Sequence, residues 1–113
     1  MFAAVESVFL NFANFSDRAS RREYWFFALF NLLAVIVLVI VDGMLGTPLS
    51  AVFSLIVIIP GLAVLVRRLH DTNRSGWWIL ISFIPLVGAI MLLIWTVSPG
   101  TDGGNNYGMR PIL

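Results

Sequence analysis

The residue types best suited to chemistry are concentrated in one short segment, residues 67–74, with the sequence RRLHDTNR. It holds three arginines, one aspartate and the single histidine of the chain, and a second basic pair lies earlier in the sequence. The planar guanidinium fork suits phosphate and carboxylate oxygens. These residues therefore predict a site for an anionic lipid headgroup or for an acidic segment of a protein partner. The candidate site residues are Arg21, Arg22, Arg67, Arg68, His70, Asp71 and Arg74.

Two other interpretations of the same segment remain open. If the preceding helix continues through it, Arg67 and Asp71 stand at positions i and i+4, where a structural ion pair forms readily. The other interpretation is catalysis by His70 and Asp71, although adjacent helical residues point about 100° apart and form no dyad with each other. One histidine and no cysteine give no credible metal site and no thiol chemistry. We expect neither a metal nor a cofactor.

The elements that must position these residues are strongly apolar. The chain of 113 residues is 59% hydrophobic and only 12% charged, whereas a soluble domain carries about 25% charged residues. Three apolar runs cover residues 24–41, 49–66 and 77–97, and a membrane-spanning helix needs roughly 17–25 residues. The runs do not alternate in polarity as barrel strands do. We therefore predict an all-α integral membrane protein of one domain, 1–113, with three transmembrane helices and a polar tail over 98–113.

Local signals refine this prediction. Apolar residues at helical spacing over about 2–15 predict a helix that lies in the membrane interface or packs against the spans. Ser20 and Glu23 form a capping-box pattern, so the first long helix should begin near Arg21, with the Glu23 carboxylate reaching back to its start. Residues 42–48 carry the Gly and Pro of a turn. In the third run, Pro85 and Gly88 indicate a helix kink or close packing.

The arginines predict an orientation. With three spans, six arginines fall on one side of the membrane and one on the other, and arginine-rich short loops stay cytoplasmic. The N-terminus should then be cytoplasmic, the turn at 42–48 outside, and the C-terminus periplasmic or extracellular. The net charge of +1 gives no bulk attraction for nucleic acid. The six arginines are Arg18, Arg21, Arg22, Arg67, Arg68 and Arg74, and the seventh is Arg110.

Three motifs carry a family resemblance: DRASRREYW at 17–25, RRLHDTNRSGWW at 67–78 and PGTDGGNNYG at 99–108. Their order and spacing resemble the small bacterial inner-membrane proteins of domain-of-unknown-function family 805 (DUF805), over nearly the whole chain. The resemblance implies a location in the bacterial inner (plasma) membrane. It implies no established activity.

The leading functional hypothesis is a non-enzymatic membrane interaction module, with a cytoplasmic arginine surface that engages anionic phospholipid or a protein partner. One alternative is a small channel or transporter, formed as a homo-oligomer around Asn31, Ser54 and the proline kinks. A lipid-headgroup enzyme that uses His70 and Asp71 is the other. The partners expected are membrane lipids, further copies of the chain or another membrane protein.

Overall fold

The computed structural model describes residues 2–109 and 111, and every regular element within them is helical. Helix α1 covers Phe2–Leu10, α2 Arg21–Leu45 and α3 Leu49–Asp71. A 3₁₀ helix follows at Gly76–Phe83, and α4 covers Val87–Val97. The all-α prediction is confirmed for this part of the chain.

Helices α2 and α3 are long and apolar enough to cross a membrane, as predicted from the first two apolar runs. They pack against each other as a hairpin. The turn between them is held by Asp42, whose carboxylate accepts hydrogen bonds from the backbone N–H groups of Leu49 and Ser50 at 2.8 and 2.9 Å. Asp42 thereby supplies the acceptors that the first turn of α3 lacks. The start of α2 is capped as predicted, because the Ser20 hydroxyl accepts from the Glu23 N–H at 3.1 Å.

Helix α1 packs against the two long helices. The Val8 side chain is fully buried in a cluster with Phe27, Val57 and Val64, and the ring of Phe9 meets that of Phe27 edge-on at 5.8 Å. Of the two interpretations of this segment, packing against the spans is confirmed. The helix ends at Leu10, earlier than predicted, and its position in the membrane interface stays a prediction.

The third apolar run does not form a single helix. It is divided between the 3₁₀ helix and α4, with Leu86 at the junction in a left-handed backbone conformation (φ 66°). Gly88 lies so close to the carbonyl group of Ile81 that a Cβ atom at this position would overlap it. Close packing at Gly88 is thus confirmed, but the third transmembrane helix is not. At Pro85 the chain turns and does not merely kink.

Both ends of this third run lie at the same end of the molecule. Near its start, the ring of Trp78 packs edge-on against that of Trp95 near its finish, with centroids 5.4 Å apart. The two arms are also equal in length. Eight residues of 3₁₀ helix rise about 16 Å, and eleven residues of α-helix also rise about 16 Å. Residues 76–97 therefore run out and back as a short helical hairpin.

Candidate functional site

The charged residues gather at one end of the helix hairpin, where α2 begins, α3 ends and the polar tail docks. Three arginines and two carboxylates form a buried arginine cluster there, each residue at most 5% exposed. Burying charge is costly unless each group is paired and hydrogen-bonded. The partners of each member therefore decide what this end of the protein can do. The buried arginine cluster consists of Arg18, Glu23, Arg67, Arg68 and Asp71.

Arg68 lies at the centre of the cluster and is fully buried. Its Nη1 atom contacts Asp71 Oδ2 at 2.5 Å and donates to the Ala19 carbonyl at 3.2 Å. Its Nε atom donates to the carbonyl oxygen of Thr96 at 3.0 Å, and Nη2 donates to that of Ser98. One guanidinium thus joins the ends of α3 and α4 to the segment before α2.

Arg18 performs the same task for the tail. It forms an ion pair with Asp71 Oδ1 at 2.9 Å, and its remaining N–H groups donate to the carbonyl oxygens of Thr101, Gly103 and Gly108 at 2.5, 2.6 and 3.1 Å. These carbonyls come from residues 83–90 positions later in the chain. Arg18 therefore folds residues 101–108 around itself.

Arg67 pairs with Glu23, at 2.7 Å between Nη1 and Oε2. Glu23 also accepts from the Ser7 hydroxyl at 3.1 Å, so its carboxylate joins α1, α2 and α3 instead of reaching back to the start of its own helix. The predicted pair of Arg67 with Asp71 is wrong. Asp71 faces Arg18 and Arg68, which leaves Arg67 on the side of the helix that faces α2.

His70 is buried and engaged in structural contacts. Its Nδ1 atom lies 3.0 Å from the carbonyl oxygen of Asp17. Its ring stacks on that of Tyr107, with centroids 4.0 Å apart and planes within 3°. Asn105 donates from its side chain to the His70 carbonyl at 2.9 Å. His70 and Asp71 thus each have their own partners from the loop before α2 and from the tail.

The tail approaches the cluster very closely. A Cβ atom on Gly100 would overlap the Asp71 carboxylate, and the Thr101 N–H donates to the Asp71 carbonyl at 2.7 Å. Only a glycine lets the backbone pass here. The PGTDGG segment is therefore a docking element shaped to the buried carboxylate.

The remaining candidates lie outside the cluster. Arg21 and Arg22 are exposed at the start of α2, where Arg21 reaches the Val97 carbonyl at 3.3 Å and Arg22 lies 5.8 Å from the centroid of the Phe26 ring. Arg74 is partly buried, with its guanidinium 4.9 Å from the centroid of the Trp95 ring. The seven predicted residues thus divide into four that are buried, two that are exposed and one that covers an aromatic ring.

An open groove of about 760 Å³ lies beside the two exposed arginines. Its other walls are the side chains of Trp25, Phe26 and Leu29 on the same face of α2. The groove is shallow and open, and it places two cations at one end of an apolar surface.

Several residues that build this end were not among the candidates. Arg18 and Glu23 appeared only as a topology signal and as half of a capping box, and residues 98–113 were predicted only as a polar tail. Their partners lie far away in sequence, where helical spacing carries no information. All three polar motifs occur in one chain that has few other charges. This co-occurrence is the sequence signal that could have indicated that the motifs lie together. Within the described residues, no group of three or more His, Asp or Glu is placed to hold a metal ion.

Two helices long and apolar enough to cross a membrane, joined to a buried arginine cluster and a docked polar tail, indicate a small membrane protein. Comparison with known sequences shows which family it is. Residues 12–109 match the family model described as "Protein of unknown function (DUF805)", and the chain belongs to that family. No solved structure matches it.

Curated relatives come from Escherichia coli. The chain is 42% identical over 108 residues to "Inner membrane protein YhaI" of strain K12, covering 93% of this chain and 92% of the relative. It is 39% identical over 113 residues to "Inner membrane protein YhaH" of the same strain, covering 94% and 93%. A more distant relative, "Uncharacterized protein YiiR", is 36% identical over 91 residues, or 77% of this chain and 60% of that protein.

Proposed function

We propose that this chain is a non-enzymatic inner-membrane protein that binds anionic phospholipid at the groove beside Arg21 and Arg22. The observation that carries the proposal is the division of the arginines. Three of them form buried ion pairs inside the protein, whereas Arg21 and Arg22 are exposed beside an apolar groove. The inner-membrane location rests on the names of the E. coli relatives.

The shape of the groove supports a lipid rather than an acidic peptide. Trp25, Phe26 and Leu29 continue from the arginines along α2, in the direction that leads into the apolar run. An acyl chain lies along such a surface, while the phosphate stays at the charged end. An acidic peptide would have to place polar backbone groups on the same apolar wall, where they would lose their hydrogen bonds to water.

The position of two cations at the start of a helix is unfavourable on its own, and binding of an anionic headgroup explains it. The helix dipole disfavours them there by about 0.3–1 kcal/mol. Attraction to an anionic membrane surface is worth about 1 kcal/mol for each arginine, so the headgroup more than offsets the unfavourable position. The same residues are therefore better suited to a lipid surface than to helix stability.

The proposed topology places both ends of the described chain on the cytoplasmic side. Two spans, α2 and α3, cross the bilayer, and residues 76–97 enter and return. Each arm of that hairpin is about 16 Å long, half of a hydrocarbon core of about 30 Å. This revises the expectation of a C-terminus outside, since Arg18 and the carbonyls of 101–108 are in direct contact. The two arginine-rich segments then share the cytoplasmic face.

The re-entrant hairpin satisfies several of its backbone groups internally, as a lipid environment demands. Near its tip, the N–H groups of Ile84, Gly88 and Ile90 donate to carbonyl groups within the hairpin at 2.9 Å. The side chain of Phe83 is exposed, as a lipid-facing residue should be.

The lipid proposal is tested by binding in nanodiscs. Wild-type protein should retain phosphatidylglycerol over phosphatidylcholine in native mass spectrometry. Changing both Arg21→Gln and Arg22→Gln removes about 2 kcal/mol of attraction, so the preference should fall about thirtyfold. Arg74→Gln is the matched control and should keep the preference, because Arg74 lies outside the groove. Equal preference in the double variant and the wild type would contradict the proposal.

The topology is tested with single cysteines, since the sequence contains none. Met44→Cys marks the end of α2 beside the turn that leads to α3, Ser16→Cys the segment before α2 and Met109→Cys the tail, and all three positions are exposed. An impermeant maleimide applied to spheroplasts should label Met44→Cys at once. It should label the other two only after the membrane is opened. Labelling of Met109→Cys from outside would restore the three-span topology.

A further inference from the structure

A second cavity lies beside the buried arginine cluster. Its volume is about 490 Å³, and its walls include Ser7 and Asn11 from the N-terminal segment, Asn14, and the charged side chains of Asp17, Arg18, Glu23 and Arg67. None of the residues that line the groove contributes to it. This volume falls in the range of small-ligand sites, about 300–1,000 Å³.

Arg67, one of the residues that line this cavity, carries donors that the described residues leave without an acceptor. Arg67 is only 2% exposed. Its Nη1 atom is paired with Glu23, but its Nε and Nη2 atoms have no hydrogen-bond partner in the described part of the chain. A buried donor without a partner costs about 1–3 kcal/mol, more when it is charged. An acceptor in the cavity would remove that cost.

The free atoms define the kind of acceptor. Nε and Nη2 form one edge of the guanidinium, the edge that pairs with two oxygens of a phosphate or carboxylate at once. The charged residues that line the cavity are two arginines, Arg18 and Arg67, and two carboxylates, Asp17 and Glu23. A group with two adjacent oxygens would accept from both free donors of Arg67.

We infer that this cavity binds the phosphate group of a small ligand, held by the free edge of Arg67. A phosphodiester has two equivalent anionic oxygens, so it matches this edge. The group could belong to a lipid headgroup or to a soluble phosphate compound. The inference does not depend on the groove beside Arg21, which is a separate site.

The test compares Arg67→Lys with the wild type in micelles of a phosphate-free nonionic detergent, because phosphatidylcholine itself carries a phosphodiester. Lysine keeps the charge but removes the two-donor edge, and Arg74→Lys is the same change outside the cavity. In phosphate-free buffer, calorimetric titration with inorganic phosphate examines the soluble source. Native mass spectrometry after incorporation of phosphatidylglycerol examines the lipid source. With either source, Arg67→Lys should bind about tenfold more weakly, and Arg74→Lys should bind as the wild type does.

The outcomes distinguish the two sites. Loss of phosphatidylglycerol from Arg67→Lys, but not from Arg21→Gln with Arg22→Gln, places a headgroup in the cavity. Binding of inorganic phosphate by the wild type that weakens in Arg67→Lys assigns a soluble ligand. If neither probe distinguishes Arg67→Lys from the wild type, the inference fails, whatever happens at the groove.

A second variant covers the case in which Arg67→Lys does not fold. Asn11→Leu leaves the net charge unchanged and replaces a polar wall of the cavity with a bulkier apolar one. Binding should weaken as in Arg67→Lys. Unchanged binding of both probes by a folded Asn11→Leu protein would overturn the cavity as their site.

Discussion

The change Arg68→Gln should destabilise the protein strongly, although it alters a residue type usually found at the surface. Arg68 is fully buried and donates to four different groups. Three of them are backbone carbonyls that close the junctions between α2, α3, α4 and the tail. Glutamine is shorter and has one amide group, so it reaches few of these acceptors.

The magnitude follows from the partners left behind. Removing one member of a buried ion pair costs about 3–5 kcal/mol, because the other charge stays buried without compensation. Here Asp71 keeps Arg18 at 2.9 Å, which places the expected loss near the lower value, about 3 kcal/mol. Each carbonyl that loses its donor adds to this loss.

The assay is equilibrium unfolding of the purified protein in mixed micelles, followed by circular dichroism. Arg21→Gln is the matched control, since it removes the same charge from an exposed position and should change the free energy of unfolding by less than about 0.5 kcal/mol. The double variant Arg68→Gln with Asp71→Asn should lose further stability, because it also takes the carboxylate away from the buried Arg18. A loss below about 1 kcal/mol for Arg68→Gln would refute the view that the cluster holds this end together.

Three further changes test other parts of the fold. Gly88→Ala should destabilise the short hairpin by about 1–3 kcal/mol through overpacking, whereas Gly43→Ala, with no heavy atom within 4 Å, should not; unfolding in micelles compares them, and equal effects would contradict the close approach. Asp42→Ala should lower the thermal stability of the helix hairpin, because it removes the acceptor from four donors; an unchanged melting temperature would deny it that role. Tyr107→Leu removes the ring stacked on the histidine, worth about 0.5–1.5 kcal/mol, and should speed proteolysis of the tail; cleavage at the wild-type rate would count against docking by this contact.

The sequence predicts the helices well where one physical constraint dominates. Helices α2 and α3 follow from the length of the apolar runs, and the Ser20 cap follows from a local hydrogen bond that spacing determines. The third run satisfies the same length rule yet folds back. Composition measures how apolar a segment is, but Leu86 and the close approach at Gly88 determine its path.

The site was predicted in outline only. Spacing identified Arg67, Arg68 and Asp71 as members of one charged group, but it assigned the wrong pair. Within the helix, Asp71 can pair with Arg68, three residues before it, or with Arg67, four residues before it. Arg18, from another segment, determines which of the two pairs forms. Pairing across 53 residues depends on the tertiary fold, which a local pattern does not contain.

The contacts of Arg18 also impose an order on biosynthesis. The ribosome makes this arginine early, and its carbonyl acceptors emerge 83–90 residues later. Until then its guanidinium group has to remain hydrated or be held by lipid phosphates at the membrane surface. The two long helices can insert as a pair beforehand, but the charged end closes only after residues 101–108 have been synthesised. Nascent chains stopped before this segment should therefore expose their arginines to whatever binds them first.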